Sequence, residues 1–276
     1  MVDDVNQAAT YDGTTYSLIN TTGAPADPAS VAVFQNHVFF AGMSSNPQEL
    51  VFSSPLGETD FSTANGAGSL SVPTNIVALK VFREILYVFG QDKIFKISGD
   101  NIANFRVDSV TQTLGCADGF SVQELGGDLL FLSLDGLRTI AGTERIGDVE
   151  LGTVSKTIQR RITEIVGKTD NITSTIVRGK SQYRLFYPSN DGVVNASLGI
   201  IATLKRGATG QIGFEYADIK GIKPSAMSSG FISGNEVILE GGYDGYVRKQ
   251  ESTTDTFDGD NVIAIYRSPD LSLGDA

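Results

Sequence analysis

The sequence predicts an all-β chain, a β-propeller of about five blades with six as the alternative count, interrupted by one inserted short helix. Three observations lead there. Short runs rich in β-branched and aromatic residues alternate with clusters of Gly, Asn, Asp, Ser and Pro. Their apolar period is about two rather than about 3.6, as in antiparallel strands joined by turns. The most apolar runs return at spacings typical of propeller blades, small sheets packed one on the next around an axis. Asp-Gly pairs return at equivalent places inside three of those repeats.

The elements follow in chain order. Residues 1–30 form an N-terminal arm, and its segment Thr14-Thr15-Tyr16-Ser17-Leu18-Ile19 is a spare strand expected to complete the last blade and close the ring. The propeller spans 31–267. Its central apolar strands begin at Val38, Ile85, Leu129, Tyr183 and Val237, offsets of 47, 44, 54 and 54 residues. Blade limits follow as 31–75, 76–118, 119–152, 172–222 and 223–267, and 268–276 is an exit segment. Within the blades, Asp135-Gly136, Asp191-Gly192 and Asp244-Gly245 stand between two strands, where a tight hairpin needs positive φ. Gly90-Gln91-Asp92-Lys93-Ile94 is the same turn without a glycine after its Asp. Val154, Ile158, Ile162 and Ile165 recur at i, i+4, i+8 and i+11, one stripe of a helix of about three turns between the third and fourth blades. Ser155 or Thr153 is its cap and Gly167 its stop, and the opposite face carries Lys156, Arg160 and Arg161.

Composition bounds the function. The chain has 276 residues, 41% hydrophobic and 19% charged, with 31 Gly and 8 Pro. That profile excludes collagen, a coiled coil and a disordered acidic tail, and the length suits one β-rich domain. No apolar run reaches the roughly 18 residues of a membrane span, and Met1-Val2-Asp3-Asp4-Val5 lacks the basic and apolar regions of a secretion signal. The expectation is no membrane insertion and no signal-peptide export. The glycosylation triplets at Asn20, Asn171 and Asn195 then count as chance matches.

Catalytic motifs are missing. His37 is the sole histidine, with neither a His-Glu-x-x-His zinc motif nor a Ser-His-Asp arrangement, and its place after Asn36 reads as a turn or strand residue. Cys116 is the sole cysteine, which forbids an internal disulfide or a Cys-rich zinc cage; beside Gly115 and Gly119 it reads as a small turn residue. No phosphate-binding Gly-x-x-x-x-Gly-Lys-Ser/Thr occurs. Asp135, Asp191 and Asp244 suggest the acids of a propeller glycosidase, but repetition in successive blades is what a turn needs and an active site does not. Asp255, Asp258, Asp260 and Asn261 offer Ca²⁺ hard oxygens at a spacing that misses the EF-hand, so a solvated loop is expected. No catalytic residue, cofactor or metal is assigned.

Charge is unevenly placed. With 21 Lys+Arg against 32 Asp+Glu the net charge is −11, and the first 79 residues hold seven acids and no Lys or Arg. Residues 153–223 reverse the sign, with eleven cations against five acids. In a ring, such arcs become separate sectors, so copies meet edge to edge, negative on positive, in a heterologous contact. Lys156, Arg160 and Arg161 on one side and Glu58 and Asp60 on the other are the candidate interface residues. An acidic chain is also a poor duplex-DNA binder, because phosphate affinity comes from Lys and Arg.

At 31–61 the chain reads Val31-Ala32-Val33-Phe34-Gln35-Asn36-His37-Val38-Phe39-Phe40-Ala41-Gly42, then Asn46-Pro47-Gln48-Glu49-Leu50-Val51-Phe52-Ser53, Gly57 and Asp60-Phe61. This resembles the propeller segment of nozzle or tail-hub proteins of short-tailed bacteriophages. Val154-Ser155-Lys156-Thr157-Ile158 is a second similar spot, and Tyr266-Arg267-Ser268-Pro269-Asp270-Leu271-Ser272-Leu273-Gly274-Asp275 resembles the exit to a further β domain. The resemblance implies a non-enzymatic virion protein of the tail, made in the host cytoplasm and assembled as a homo-oligomeric ring. It would guide genome ejection, pass DNA without tight binding and bear on adaptor and fibre proteins. Members of that class carry a platform or tube domain as well, so it further implies a fragment of such a protein or a narrower role as cap or plug. Two other readings stand beside it: a propeller glycosidase or lyase, disfavoured by the absence of Trp, and a propeller scaffold binding peptides or glycans.

Overall fold

Alternation of apolar side chains along short strands gives each sheet two faces to bury, and the chain solves this by stacking. The computed structural model describes residues 1–141, 154–167, 172–188, 197–206 and 212–250, with the backbone alone at 197, 206, 212, 256–257 and 260–261. The arm contains β1 (Ala9–Tyr11) and β2 (Tyr16–Leu18). Five antiparallel meanders follow. Blade one is β3 (Ser30–Phe34), β4 (His37–Ala41), β5 (Glu49–Phe52) and β6 (Gly68–Ser71); blade two is β7 (Ile76–Phe82), β8 (Ile85–Gly90), β9 (Ile94–Ser98) and β10 (Arg106–Thr111). Blade three is β11 (Gln123–Leu125), β12 (Asp128–Ser133) and β13 (Gly136–Thr139); blade four is β14 (Thr173–Val177), β15 (Gln182–Pro188), β16 (Ser197–Arg206) and β17 (Ile212–Lys220). Blade five is β18 (Pro224–Ile232), β19 (Asn235–Gly242) and β20 (Val247–Gln250).

The first strands of neighbouring sheets adjoin, β3 with β7, β11 with β14 and β14 with β18, so each meander runs from the inside outward. That is the blade order of a β-propeller. Three of the seams are apolar. Phe39 and Phe52 stand opposite each other in register and pack, with Leu50, on Leu79, Leu86, Val88 and Ile97 of blade two. Phe89 and Ile94 meet Leu129 and Phe131 of blade three, and Leu130, Leu132 and Leu137 meet Ile176, Tyr183 and Leu185 of blade four. Each such side chain contributes about 1.5–3 kcal/mol on full burial, so the seams and not the hydrogen-bond ladders hold one blade on the next.

His37 and Cys116 belong to these seams. The His37 ring is 2% exposed, 2.6 Å from the Ser53 carbonyl oxygen through Nδ1, and edge-on to Phe52 at 5.4 Å. Cys116 is buried, its thiol donating to the Asp118 carbonyl at 3.1 Å, and burial pushes its pKa up to about 12.

Three expectations need correction. The strand at Thr14–Ile19 does not complete the last blade: β2 pairs with β1 in a sheet of two strands, and Ala8 and Ile19 beside it pack on Phe40 and Phe61 of blade one. A two-stranded hairpin with an apolar flank needs a sheet to lie on, and blade one is adjacent in sequence. The helical segment runs about three turns, a 3-10 turn at Lys156–Ile158 followed by α1 (Gln159–Val166), but no side chain caps it. Ser155 is fully buried and accepts instead from the Leu137 N–H at 3.0 Å, tying the helix entrance to blade three. Gly167 does stand at the helix end.

The third correction concerns turns. Ser133 pairs with Gly136, so that glycine opens β13 with φ +157, close to extended, and Leu134-Asp135 make the loop. Gly245 does take positive φ, +84. The left-handed pairs that recur lie in the preceding hairpin of the blades: Gln35-Asn36, Arg83-Glu84, Gly126-Gly127 and Ser233-Gly234 all have both φ values between +47 and +79. Two consecutive positive φ values are the two-residue turn whose twist matches paired strands. Asp191, Gly192, the loop at Asp255 and Asp258, the side chains of Asp260 and Asn261, and the exit segment 268–276 lie outside the described residues.

A glutamate at φ +61 carries a steric cost that glycine escapes. Glu84→Gly is therefore expected to stabilise the chain by about 0.5–1 kcal/mol, read as a higher midpoint in urea unfolding; an unchanged or lower midpoint contradicts this account of the turn.

Candidate functional site

The cationic helix face and the acidic corner of blade one take up different roles. α1 buries Ile162 and Ile165 in the seam of blades three and four, which aims its other face outward. The Val154 N–H donates to the Leu137 carbonyl at 2.9 Å, and the Tyr216 hydroxyl donates to the Val154 carbonyl at 2.8 Å, so the segment is strapped to both blades. Arg161 is bound within the chain: Nη1 reaches Glu164 at 3.1 Å and Nη2 reaches Asp218 on β17 at 3.0 Å. The Asp218 bond raises the Arg161 pKa. Lys156 and Arg160 are exposed and form no ion pair among the described residues. Arg160, Arg161, Ile200, Tyr216 and Asp218 line an open groove of about 350 Å³.

On blade one, Glu58 is exposed, whereas Asp60 is held by its own loop. Its carboxylate accepts from the Ser62 N–H at 2.9 Å, Asn65 Nδ2 at 2.7 Å and the Ser54 hydroxyl at 3.2 Å, and the Ser62 and Asn65 bonds lower its pKa. The structure thus brings Arg161 to Glu164 and Asp218 and does not pair the helix cations with Glu58 or Asp60 inside one chain. A second hollow of about 410 Å³ lies between arm and blade one, lined by Pro25, Met43, Glu49 and Phe61.

The recurrent aspartates act through their side chains. Asp135 accepts two hydrogen bonds from the buried Arg138, at 2.9 Å from Nε and closer from Nη2. Burial opposes the Asp135 carboxylate, and Arg138 outweighs it, so the pKa is lowered. Asp244 repeats the device with Arg248, at 3.1 Å from Nη1 and 2.5 Å from Nη2, and also accepts from the Tyr246 N–H at 3.1 Å. Asp92 accepts instead from the Thr74 hydroxyl at 2.5 Å. Asp92, Asp135 and Asp244 each fasten their turn to a neighbouring strand or linker, and no two of these three share a site.

Sequence reasoning missed the seam between blades four and five, which is polar. Arg184, 5% exposed, donates from Nη1 to Gln250 at 3.1 Å and from Nη2 to Gln182 at 2.8 Å. Gln250 Nε2 donates to Glu240, 1% exposed, at 2.5 Å. Glu236 accepts from the Arg178 and Gly179 N–H groups at 2.6 and 2.8 Å. The signal was present: Arg184 and Glu240 interrupt two otherwise apolar central strands, and a charge inside such a run asks for a buried partner.

No protein-family profile matches the chain, and no curated protein matches it. Solved structures with partial likeness include Hsv2p of Kluyveromyces lactis, 10% identical, TM-score 0.37, covering 71% of this chain and 62% of that one. A quinonprotein alcohol dehydrogenase-like protein of Bacteroides thetaiotaomicron is 8% identical, TM-score 0.39, with 69% and 45% covered. The N-terminal domain of Nup159 is 9% identical, TM-score 0.36, with 80% and 73% covered. The chain therefore spans about three fifths of the first and under half of the second.

Two outcomes follow for the polar groups. Gln250→Leu removes one hydrogen bond from each of two buried charged side chains, which is expected to cost about 1–3 kcal/mol, measured as a lower thermal midpoint, while Lys249→Gln on the exposed side leaves it unchanged. Arg248 first, then the Tyr246 N–H, holds the Asp244 carboxyl at about 2, below its ordinary 3.8. Because this pKa is depressed, the Arg248 contact is intact above about pH 4 and is lost as pH falls through about 2. Carboxyl-carbon NMR should show Asp244 titrating there, and Arg248→Ala should return it toward the ordinary range.

Proposed function

We propose that this chain is a structural virion protein of a bacteriophage tail, a nozzle or hub ring component that forms part of the conduit for genome ejection and a platform for adaptor and fibre proteins. The role is mechanical, with no reaction assigned to any residue. One observation carries the reading: the segment 31–61, which holds the family-like motif, works as a joint. The Pro47 carbonyl accepts from the Ile76 N–H at 2.7 Å and the Gln48 carbonyl from the Val72 N–H at 2.9 Å, which fixes the linker into blade two. Ser54 and Asp60 close a corner, the Ser54 N–H donating to the Asp60 carbonyl at 2.7 Å, and Phe61 packs tilted against Phe40 at 5.9 Å beneath the arm. The motif residues thus set the relative placement of arm, first blade and second blade, as a load-carrying ring subunit requires.

The charge supports the same reading. A net −11 with an N-terminal stretch free of Lys and Arg suits a wall past which DNA slides without being held. Acid and base on separate sectors suit a contact between unlike surfaces of identical subunits.

Light scattering on the purified chain is expected to give one discrete multimer of about five to twelve copies, the range of closed cyclic assemblies, with annular particles in negative-stain images. A monodisperse monomer at all concentrations speaks for an ordinary propeller scaffold instead.

A further inference from the structure

The two end blades differ from the inner ones in what covers them. In blade five, register places Met227, Glu240 and Arg248 on one face with Ser229, Ile238 and Gln250, and this face turns to blade four. Ile232, Val237, Leu239, Val247 and Lys249 lie on the other face. Blades one to three bury the face toward the following blade in an apolar seam. On this other face of blade five, which also holds Ser228 and Gly230, three apolar side chains stand in the open: Ile232 is 63% exposed, Val247 71% and Leu239 38%.

At the other end of the chain, the outer face of blade one lies under the arm. The arm hairpin then presents its own apolar surface, with Tyr11 59%, Tyr16 58% and Leu18 50% exposed. Tyr11 stands opposite Tyr16, and Leu18 lies two residues beyond Tyr16 along the same strand, so these three side chains share one face of the hairpin, on which Ala9, opposite Leu18, is buried. Exposed apolar surface on two separate elements marks interaction sites. The signs around them are complementary: Asp3, Asp4 and Asp12 are exposed on the arm, Lys223 and Lys249 at blade five.

We propose that these two surfaces meet between copies, the arm hairpin of one chain seating on the open face of blade five of a second copy. The contact is head-to-tail, so repeating it generates a ring when the rotation closes. It rests on the ring reading above and deepens it by naming the surface. A second copy is the occupant because, among the described residues, Tyr11, Tyr16 and Leu18 of the hairpin and Ile232 and Val247 of blade five are left exposed, and the two surfaces carry opposite charge at their rims. Packed this way, each chain's hairpin becomes the sheet between its own first blade and its neighbour's fifth, and every blade face has a partner.

Cysteine pairing tests it. The native background is silent, because Cys116 is buried and its thiol is pushed up to about 12. Leu18→Cys and Leu239→Cys are made as separate full-length chains; both positions are exposed, and circular dichroism checks that each variant folds. Mild oxidation of the equimolar mixture is expected to give a disulfide-linked dimer on non-reducing electrophoresis that neither variant gives alone. In the chain carrying both substitutions, linked multimers are expected. An internal bridge in a monomer of the double variant overturns the proposal, because the arm then closes on its own fifth blade. Absence of any link overturns it as well. Light scattering on the unsubstituted chain separates the two readings: a multimer without the link leaves the ring and removes this contact, and a monomer without the link removes both.

Discussion

A sheet one layer thick has two faces, and here both are apolar in most blades, so a blade is stable only between neighbours. Phe39 and Phe52 of blade one illustrate the constraint. Their rings, 5.1 Å apart, would lie in water were blade two not against them. The meander order, the inward first strands and the tight left-handed hairpins all serve to deliver one such face to the next. The arm serves the same need, since Ala8 and Ile19 beside the β1–β2 hairpin cover Phe40 on the outer face of blade one.

The seams are not equivalent, and the difference has a physical content. Between blades one and four, dispersion and water exclusion dominate, and these forces tolerate small displacements. Between blades four and five, Arg184, Gln250 and Glu240 form directional bonds that specify one register. A buried network of that kind adds little net stability compared with an apolar seam, and breaking it is costly because charged groups lose partners. Blade five is thus held by geometry as much as by burial.

Charge works at two levels. Asp60, Asp135, Asp244 and Arg161 are engaged in local bonds that shape loops, turns and the helix, and so contribute to the form of the chain. Lys156, Arg160 and Glu58 stand in solvent and contribute to its field.

The strands were legible in the sequence because alternation and turn residues are local properties. Val38, Ile85, Leu129, Tyr183 and Val237 lie at the start of, or within, the second strand of successive meanders, and the stripe at Val154, Ile158, Ile162 and Ile165 packs as one face on the third seam. The left-handed geometry at Gln35-Asn36 and Arg83-Glu84 has no glycine to mark it in the sequence, because those φ values follow from the pairing of the flanking strands. Partnership over long separations was equally hidden. That Arg161 would find Asp218, that Arg184 would find Gln250, and that Ser155 would serve blade three and not its helix depend on which faces come together. Composition and period are written along the chain, one residue after another. The partners of a buried polar group are set by packing across space, which no local pattern records.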